Sequence, residues 1–292
     1  MNNEFILQDR IQKIKQIINQ YGIDNFYISF SGGKDSTIIH YLIDIAIPDN
    51  NIPRVYIDTG IELNIIKDFV NKLSINDNRI NIIKPTMNIK EMLNNVGYPF
   101  KSKEHSYNVS MYQRNGVNKT VEQYLNPDES RKTFGCIKKL LYQFDDEFDL
   151  KISNKCCDEL KKKPVKKWAK ENNKPFTILG LRQSEKGIRA NSGCLSFRNK
   201  TLYSFNPLFP INDEWCDWFI TEYNINICDI YKEPYNFKRT GCKGCPYNID
   251  LQEELEILEK FFPNERKQCE YIWKPVYEEY RRINYRLKEK GR

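Results

Sequence analysis

A chain of 292 residues that is 40% hydrophobic and 13% aromatic can bury a sizeable core, which excludes a disordered or fibrous protein and favours one large α/β domain with an appendage. No apolar run reaches the length of a membrane span and Met1-Asn-Asn-Glu4 lacks the order of a signal peptide, so the expectation is a cytoplasmic protein with no membrane partner. The 46 basic residues exceed the 39 acidic ones to give a net charge of +7, which suits an anionic partner such as a nucleotide and leaves nucleic acid open.

Glu4 to Tyr21 carries apolar residues at helical spacing and is closed by Gly22. Phe26 to Phe30 is β-rich and apolar, as a buried strand should be. Ser31, Gly32 and Gly33 make a tight turn, and Thr37 to Ala46 continues as a helix. A glycine turn between a strand and a helix lets backbone N–H groups approach an anion where the helix dipole favours negative charge. Lys34 adds a point charge, and Ser31 and Ser36 add hydroxyls. The spacing is not that of a Walker A loop, which needs four residues between its glycines and a Gly-Lys-Ser/Thr ending.

Arg54 to Glu62 reads as a second strand, with Asp58 and Thr59 just past its apolar run and Gly60 at the turn. Asp58 is thereby placed at a strand's carboxyl end, where open α/β sheets bind ligands. A helix over 64–73 and a strand over 79–83 continue the alternation, and the expected fold is a doubly wound, mostly parallel sheet with helices on both faces. Periodicity weakens from Met92 to Tyr124, where Lys101, Ser102 and Lys103 sit in a turn-rich basic stretch that could meet a phosphate or simply face solvent. Val165 to Glu171 predicts a helix, and Phe176 to Arg182 a further buried strand from whose end Arg182 and Arg189 issue. Their guanidinium forks suit phosphate or sulfate, with surface ion pairing as the alternative. Asn206 to Pro210 is extended, Glu214 to Tyr223 helical, and Leu251 to Leu287 a helical tail broken at Phe261-Phe-Pro263. The expected division is a nucleotide-binding α/β domain over 1–235 and a cysteine loop with a helical C-terminal extension over 236–292.

The cysteines number nine, an odd count in clustered spacing, so reduced thiols for metal or thiolate chemistry are expected rather than disulfides. Cys242-Lys-Gly-Cys245 has glycines that let both sulfurs face one centre, and read alone it fits a zinc knuckle, a redox pair or half of an iron–sulfur site. Cys156-Cys157 upstream supplies two more thiolates, enough for a tetrahedral zinc or a cubane cluster.

Ser31–Ser36 looks like the pyrophosphate-binding loop of the adenine nucleotide α-hydrolase superfamily. With Asp58-Thr-Gly60, Cys156-Cys157 followed by Lys161–Pro164, Gly180-Leu-Arg-Gln-Ser-Glu185 and Cys242–Cys245 in that order, the chain resembles the phosphoadenylyl-sulfate and adenylyl-sulfate reductase family from Phe26 to Tyr247. The resemblance implies that Ser31, Gly32, Gly33, Lys34, Asp35 and Ser36 hold the phosphate or sulfate end of an adenylyl group and that Arg182 and Arg189 face the substrate. It also implies that Cys156, Cys157, Cys242 and Cys245 ligate a [4Fe–4S] cluster, with zinc as the alternative metal and Cys194 as a rival ligand.

The family's reductases attack sulfur with a cysteine on a Glu-Cys-Gly-Leu-His-like tail, which this sequence lacks; its late cysteine is Cys269, in a helical pattern. Three readings follow from the resemblance. A sulfonucleotide reductase would take adenylyl sulfate or phosphoadenylyl sulfate, with Cys269, Cys136 or another free thiol as nucleophile and a thiol donor such as thioredoxin. An ATP-dependent adenylating sulfurtransferase would use Mg²⁺ and act on DNA or tRNA. A nucleotide-binding module without turnover is the third.

Overall fold

The computed structural model describes residues 2–129, 135–184 and 193–288. Its strands are β1 (Phe26–Phe30), β2 (Arg54–Ile57), β3 (Ile80–Ile83), β4 (Phe176–Ile178), β5 (Leu195–Arg198) and β6 (Thr201–Phe205). The helices, in chain order, are α1 (Asn3–Tyr21), α2 (Lys34–Ala46), α3 (Asn64–Asn76), α4 (Ile89–Val96), α5 (Lys103–Asn115), α6 (Lys119–Leu125), α7 (Lys163–Glu171), α8 (Asp213–Glu222), α9 (Leu251–Phe261) and α10 (Pro263–Arg282). Two compact units share them: Met1–Asp58, Glu62–Lys84 and Lys163–Thr240 form the first, and Thr59–Ile61, Pro85–Lys162 and Gly241–Arg292 the second. The helical segment after residue 236 thus shares its unit with the stretch from Pro85 to Lys162.

In the first unit, one six-stranded sheet runs in the order β3-β2-β1-β4-β6-β5. Every neighbouring pair is parallel except β5 with β6. Side chains alternate across a strand, and β1 buries both faces. Phe26 and Ile28 join Ile14, Ile18, Ile39, Leu42, Trp215 and Phe219 of α1, α2 and α8 in one core. Tyr27 points the other way and meets the Trp168 ring of α7 at 5.8 Å. Helices therefore cover both faces, as the alternating sequence predicts. At the amino end of β2, Arg54 is fully buried and donates to His40 Nδ1 at 3.1 Å, Asn50 Oδ1 at 2.8 Å and Asp44 Oδ1 at 2.6 Å. Arg79 closes this network onto Asp44 and Asp77.

The sequence reading of the region before Asn206 missed the β5–β6 hairpin. Its turn residues Asn199 and Lys200 hold φ of +49° and +64°, the conformation of a two-residue primed turn, without the glycine that usually announces one. The strands over 54–62 and 176–182 are also shorter than read, ending at Ile57 and Ile178.

The second unit is mainly helical. Around Met92–Tyr124, where sequence periodicity fades, α4, α5 and α6 are each started by a capping side chain: Asn88, Ser102 and Asn118 accept from the N–H groups of Glu91, His105 and Thr120. Ser102 is therefore occupied as a helix cap, and the Lys101 N–H donates to Tyr280 Oη at 2.7 Å. His105 is buried between Tyr124 Oη at 2.9 Å and Gln143 Oε1 at 2.8 Å, so Nε2 carries the proton and Nδ1 accepts from Tyr124. Among the described residues no helix is long and apolar enough to cross a membrane.

Candidate functional site

Strand order reverses between β1 and β4, and the segments that leave the carboxyl ends of these two strands flank the point where doubly wound sheets take their ligands. After Phe30 the chain turns through Ser31, Gly32 and Gly33 into α2, whose N-cap, Gly33, contributes no side chain. The turn is tied to the helix by its own hydroxyls. Ser36 Oγ donates to Gly33 O at 2.9 Å, Ser31 and Ser36 Oγ lie 3.0 Å apart, and the Gly33 N–H donates to Ser31 Oγ at 3.3 Å. Gly32 has φ +70°, and a Cβ there would stand 2.7 Å from a methyl of Val70, so only glycine fits. A Cβ on Gly33 would meet Tyr231 Oη at 3.1 Å, Ser31 Oγ at 3.2 Å and Thr240 Oγ1 at 3.4 Å, which places three hydroxyls over the start of α2.

Two cations stand at this turn. Lys34 Nζ lies 2.5 Å from Asp217 Oδ1. Arg182, buried just beyond β4, has Nε 3.1 Å from Asp35 Oδ1 and a terminal nitrogen 2.6 Å from Asp213 Oδ1. Burial disfavours the Arg182 charge, but Asp35 and Asp213 more than compensate and raise its pKa. Gly180 brings the two segments close, since its missing Cβ would sit 3.1 Å from the Asp35 backbone. Asp58 is buried at the end of β2 and pairs with Lys67 at 2.7 Å. Arg189 lies outside the described residues.

Sequence reasoning passed over Tyr231, Thr240, Asp213 and Asp217. The two aspartates lie four residues apart in a helix that reads as ordinary and amphipathic; nothing local marks them as partners of Lys34 and Arg182.

The second unit holds Cys156, Cys157, Cys242 and Cys245. Burial first, and then Cys242, Cys157 and Cys245, push the Cys156 thiol up; burial and then Cys242 do the same to Cys245. The four are thus electrostatic neighbours, although among the described residues no group of three or more His, Cys, Asp or Glu is drawn together tightly enough to hold a metal ion. Cys156 is buried and the other three are half-buried, and four sulfurs gathered in this way have the chemistry of a soft-metal donor set.

The loop over 242–245 is fixed from beneath. Lys243 is buried and pairs with Glu265 Oε2 at 3.1 Å and Gln268 Oε1 at 2.7 Å, while the Trp273 indole donates to Lys243 O at 3.0 Å. Gly244 has φ +60° and presses on Cys269 of α10, whose Sγ would be 2.8 Å from a Cβ. Cys269 is fully enclosed, with burial raising its pKa to about 12. Cys136 is raised to about 11, also by burial. Cys194 belongs to the first unit, packed against its core beside Arg10.

The phosphoadenosine phosphosulfate reductase domain model matches residues 25–126 and 110–248. The chain belongs to this family. Its membership agrees with the order of motifs from the turn after β1 to Cys245 and with the mostly parallel sheet. A relative in Methanocaldococcus jannaschii, Uncharacterized protein MJ0973, is 26% identical over 273 residues, covering 87% of this chain. The chain spans about half, 51%, of that protein's length.

Among solved structures the chain is similar to the phosphoadenylyl-sulfate reductase of Candida auris in a phosphate complex, at TM-score 0.45 and 15% identity over 83% of this chain and 96% of that one. It is also similar to the U34-tRNA thiolase NcsA of Methanococcus maripaludis with its [4Fe-4S] cluster, at TM-score 0.41 and 13% identity over 100% and 83%. The NH3-dependent NAD synthetase of Campylobacter jejuni in complex with nitrate has TM-score 0.40 and 13% identity over 96% of each chain.

Proposed function

We propose that this chain is an enzyme of sulfur chemistry that binds the phosphate or sulfate end of an adenylyl nucleotide at Ser31–Ser36. The observation that carries the reading is the turn itself: a glycine-only bend at the switch point of the sheet, opening a helix of 13 residues, with Lys34 and Arg182 as cations beside it. Asp58 stands at the neighbouring strand end, where it can meet the ribose or a Mg²⁺ ion. In the second unit, Cys156, Cys157, Cys242 and Cys245 would hold a [4Fe–4S] cluster, with zinc as the alternative for the same four sulfurs. A cluster with all four thiolates engaged supplies charge and electrostatic tuning rather than a nucleophile.

The thiols bear on which reaction is run. A sulfonucleotide reductase needs a thiolate to attack the sulfate sulfur and expel AMP or its 3′-phosphorylated form. The five cysteines outside the proposed ligand set, Cys136, Cys194, Cys216, Cys228 and Cys269, are all raised above the ordinary thiol range, in each case chiefly by burial. Thiols held neutral are poor nucleophiles at pH 7. This favours the second reading, in which an acceptor oxygen on DNA or tRNA attacks the α-phosphorus of ATP and pyrophosphate leaves with Mg²⁺; a sulfide-level donor (hydrosulfide) would then add at the activated centre and expel AMP, which carries off the acceptor oxygen.

Anaerobic protein incubated with a dithiol and labelled adenylyl sulfate or phosphoadenylyl sulfate, or with labelled ATP, Mg²⁺ and tRNA or DNA as acceptor, separates the two. Sulfite marks a reductase, pyrophosphate marks an adenylating enzyme, and neither product from any of the three would reject both. Lys34→Ala is expected to weaken nucleotide binding by about 10- to 150-fold, the worth of a charge-assisted hydrogen bond. Unchanged affinity by calorimetry in this variant would remove the turn from the site. Arg182→Ala should weaken ATP more than AMP, because AMP has no distal phosphate for the guanidinium fork to clamp. Equal losses for the two ligands would make Arg182 a structural residue.

A further inference from the structure

The geometry points to Asp213 and Asp217 of α8 as built-in competitors of the bound anion, carboxylates that hold the two cations of the turn and must yield them when a phosphate or sulfate arrives. This rests on the reading that Ser31–Ser36 binds such an anion. Residues four apart share one face of a helix, so α8 presents both carboxylates to the turn together. Asp217 takes Lys34 at 2.5 Å and Asp213 takes Arg182 at 2.6 Å. Each carboxylate is itself about two-thirds exposed, at 68% and 66%, whereas the cations are mostly covered, at 11% for Arg182 and 23% for Lys34. The acid is therefore the partner that can swing into water, while the cation stays at the site. Asp35 remains against Arg182 Nε on the other side and keeps the guanidinium in place during the exchange.

An ion pair on an exposed acid is weak, so a multiply charged phosphate can replace it. The replacement still costs part of the new interaction, and the carboxylates regain the cations as the anionic product leaves. Asp213 and Asp217 would thus lower affinity for nucleotide and hasten release, while keeping two neighbouring cations from repelling one another in the free protein.

The test is calorimetric titration of full-length protein with ATP and, separately, with inorganic pyrophosphate at low salt. The proteins compared are wild type, Asp217→Asn, Asp213→Asn, Lys34→Ala and the double variant Lys34→Ala with Asp217→Asn. Asp217→Asn and Asp213→Asn should each tighten both ligands by about 2- to 10-fold, the scale of a partly exposed ion pair. Glu214→Gln makes the same charge change on α8 outside the two ion pairs and should leave affinity within about 2-fold. In the Lys34→Ala background, Asp217→Asn should no longer tighten binding, because its partner is gone. Equal or weaker binding by Asp217→Asn would overturn the inference, and so would the same gain with and without Lys34, which would be a bulk charge effect. If wild type and Lys34→Ala bind neither probe, or bind both alike, the nucleotide reading itself fails and takes the inference with it. Asp213 is at the first position of α8, so a melting curve of its variant separates a lost helix-dipole contact from a binding effect; Asp217 lies beyond that turn.

Discussion

Cys245→Ser, purified without oxygen, should be colourless and markedly less stable, where the wild-type protein should be brown with broad absorbance near about 400 nm. Cys242 and Cys245 sit on a loop that the rest of the second unit fixes from several directions. The Gly244 N–H donates to Glu254 Oε1 at 2.8 Å, the Tyr280 hydroxyl to Pro246 O at 2.8 Å, and the Trp273 indole to Lys243 O at 3.0 Å. A loop so anchored transmits the gain from metal binding to α9 and α10. Where a metal site forms only in the folded chain, the free energy of metal binding adds to folding free energy. Losing one of four ligands should therefore lower the melting temperature as well as remove the colour. Colourless wild-type protein with one equivalent of zinc would refute the cluster and keep the four-sulfur set. Cys194→Ser should stay brown; if it bleaches while Cys156→Ser does not, the ligands are Cys157, Cys194, Cys242 and Cys245.

The parts of the fold that were legible in the sequence are those governed by local pattern. The apolar run of β1, the glycine turn and the helical spacing of α1, α2, α8, α9 and α10 all lie within short windows, and each formed close to where periodicity placed it. The β5–β6 hairpin was hidden because its turn uses Asn199 and Lys200 rather than a glycine.

The site divides in the same way. Ser31 to Ser36 could be read as a unit because the backbone turn of the proposed anion seat is contiguous in sequence. The groups facing it come from about 180 to 210 residues downstream, and they are residues of ordinary type: a tyrosine, a threonine and two helix aspartates. Lys243 was likewise not marked by the sequence: it is buried against Glu265 and its ammonium holds the loop.

Folded protein is expected to lose stability as the pH falls from about 6.5 to about 4, through its two histidines. His40 of α2 is lowered to about 4 from the ordinary 6.5 by burial first and then by Arg54, with Asp44 and Asp77 acting in opposition. His105 of α5 is lowered to about 4 by burial, against a smaller raising effect of its bond to Gln143. Both are therefore neutral in the folded protein at pH 7, and each ring is committed: His40 Nδ1 accepts from Arg54, and His105 bridges Tyr124 and Gln143.

In the unfolded chain the same rings take up protons near 6.5, so between 6.5 and 4 the unfolded state binds more protons and stability falls with pH. Above 6.5 neither state is protonated and the histidines leave stability flat. Each shift corresponds to about 3 kcal/mol at its full extent, one in each unit, a large part of a typical domain's stability. Below pH 4 the loss should continue through Asp77, which Arg79 holds down to about 2 in the folded state. Proton NMR should show both histidine ring signals unmoved from pH 8 to 5, and the urea midpoint should decline steadily over pH 6.5 to 4. A ring that titrates near 6.5 in folded protein, or a midpoint that stays level across that window, would mean that the buried imidazoles do not control acid stability.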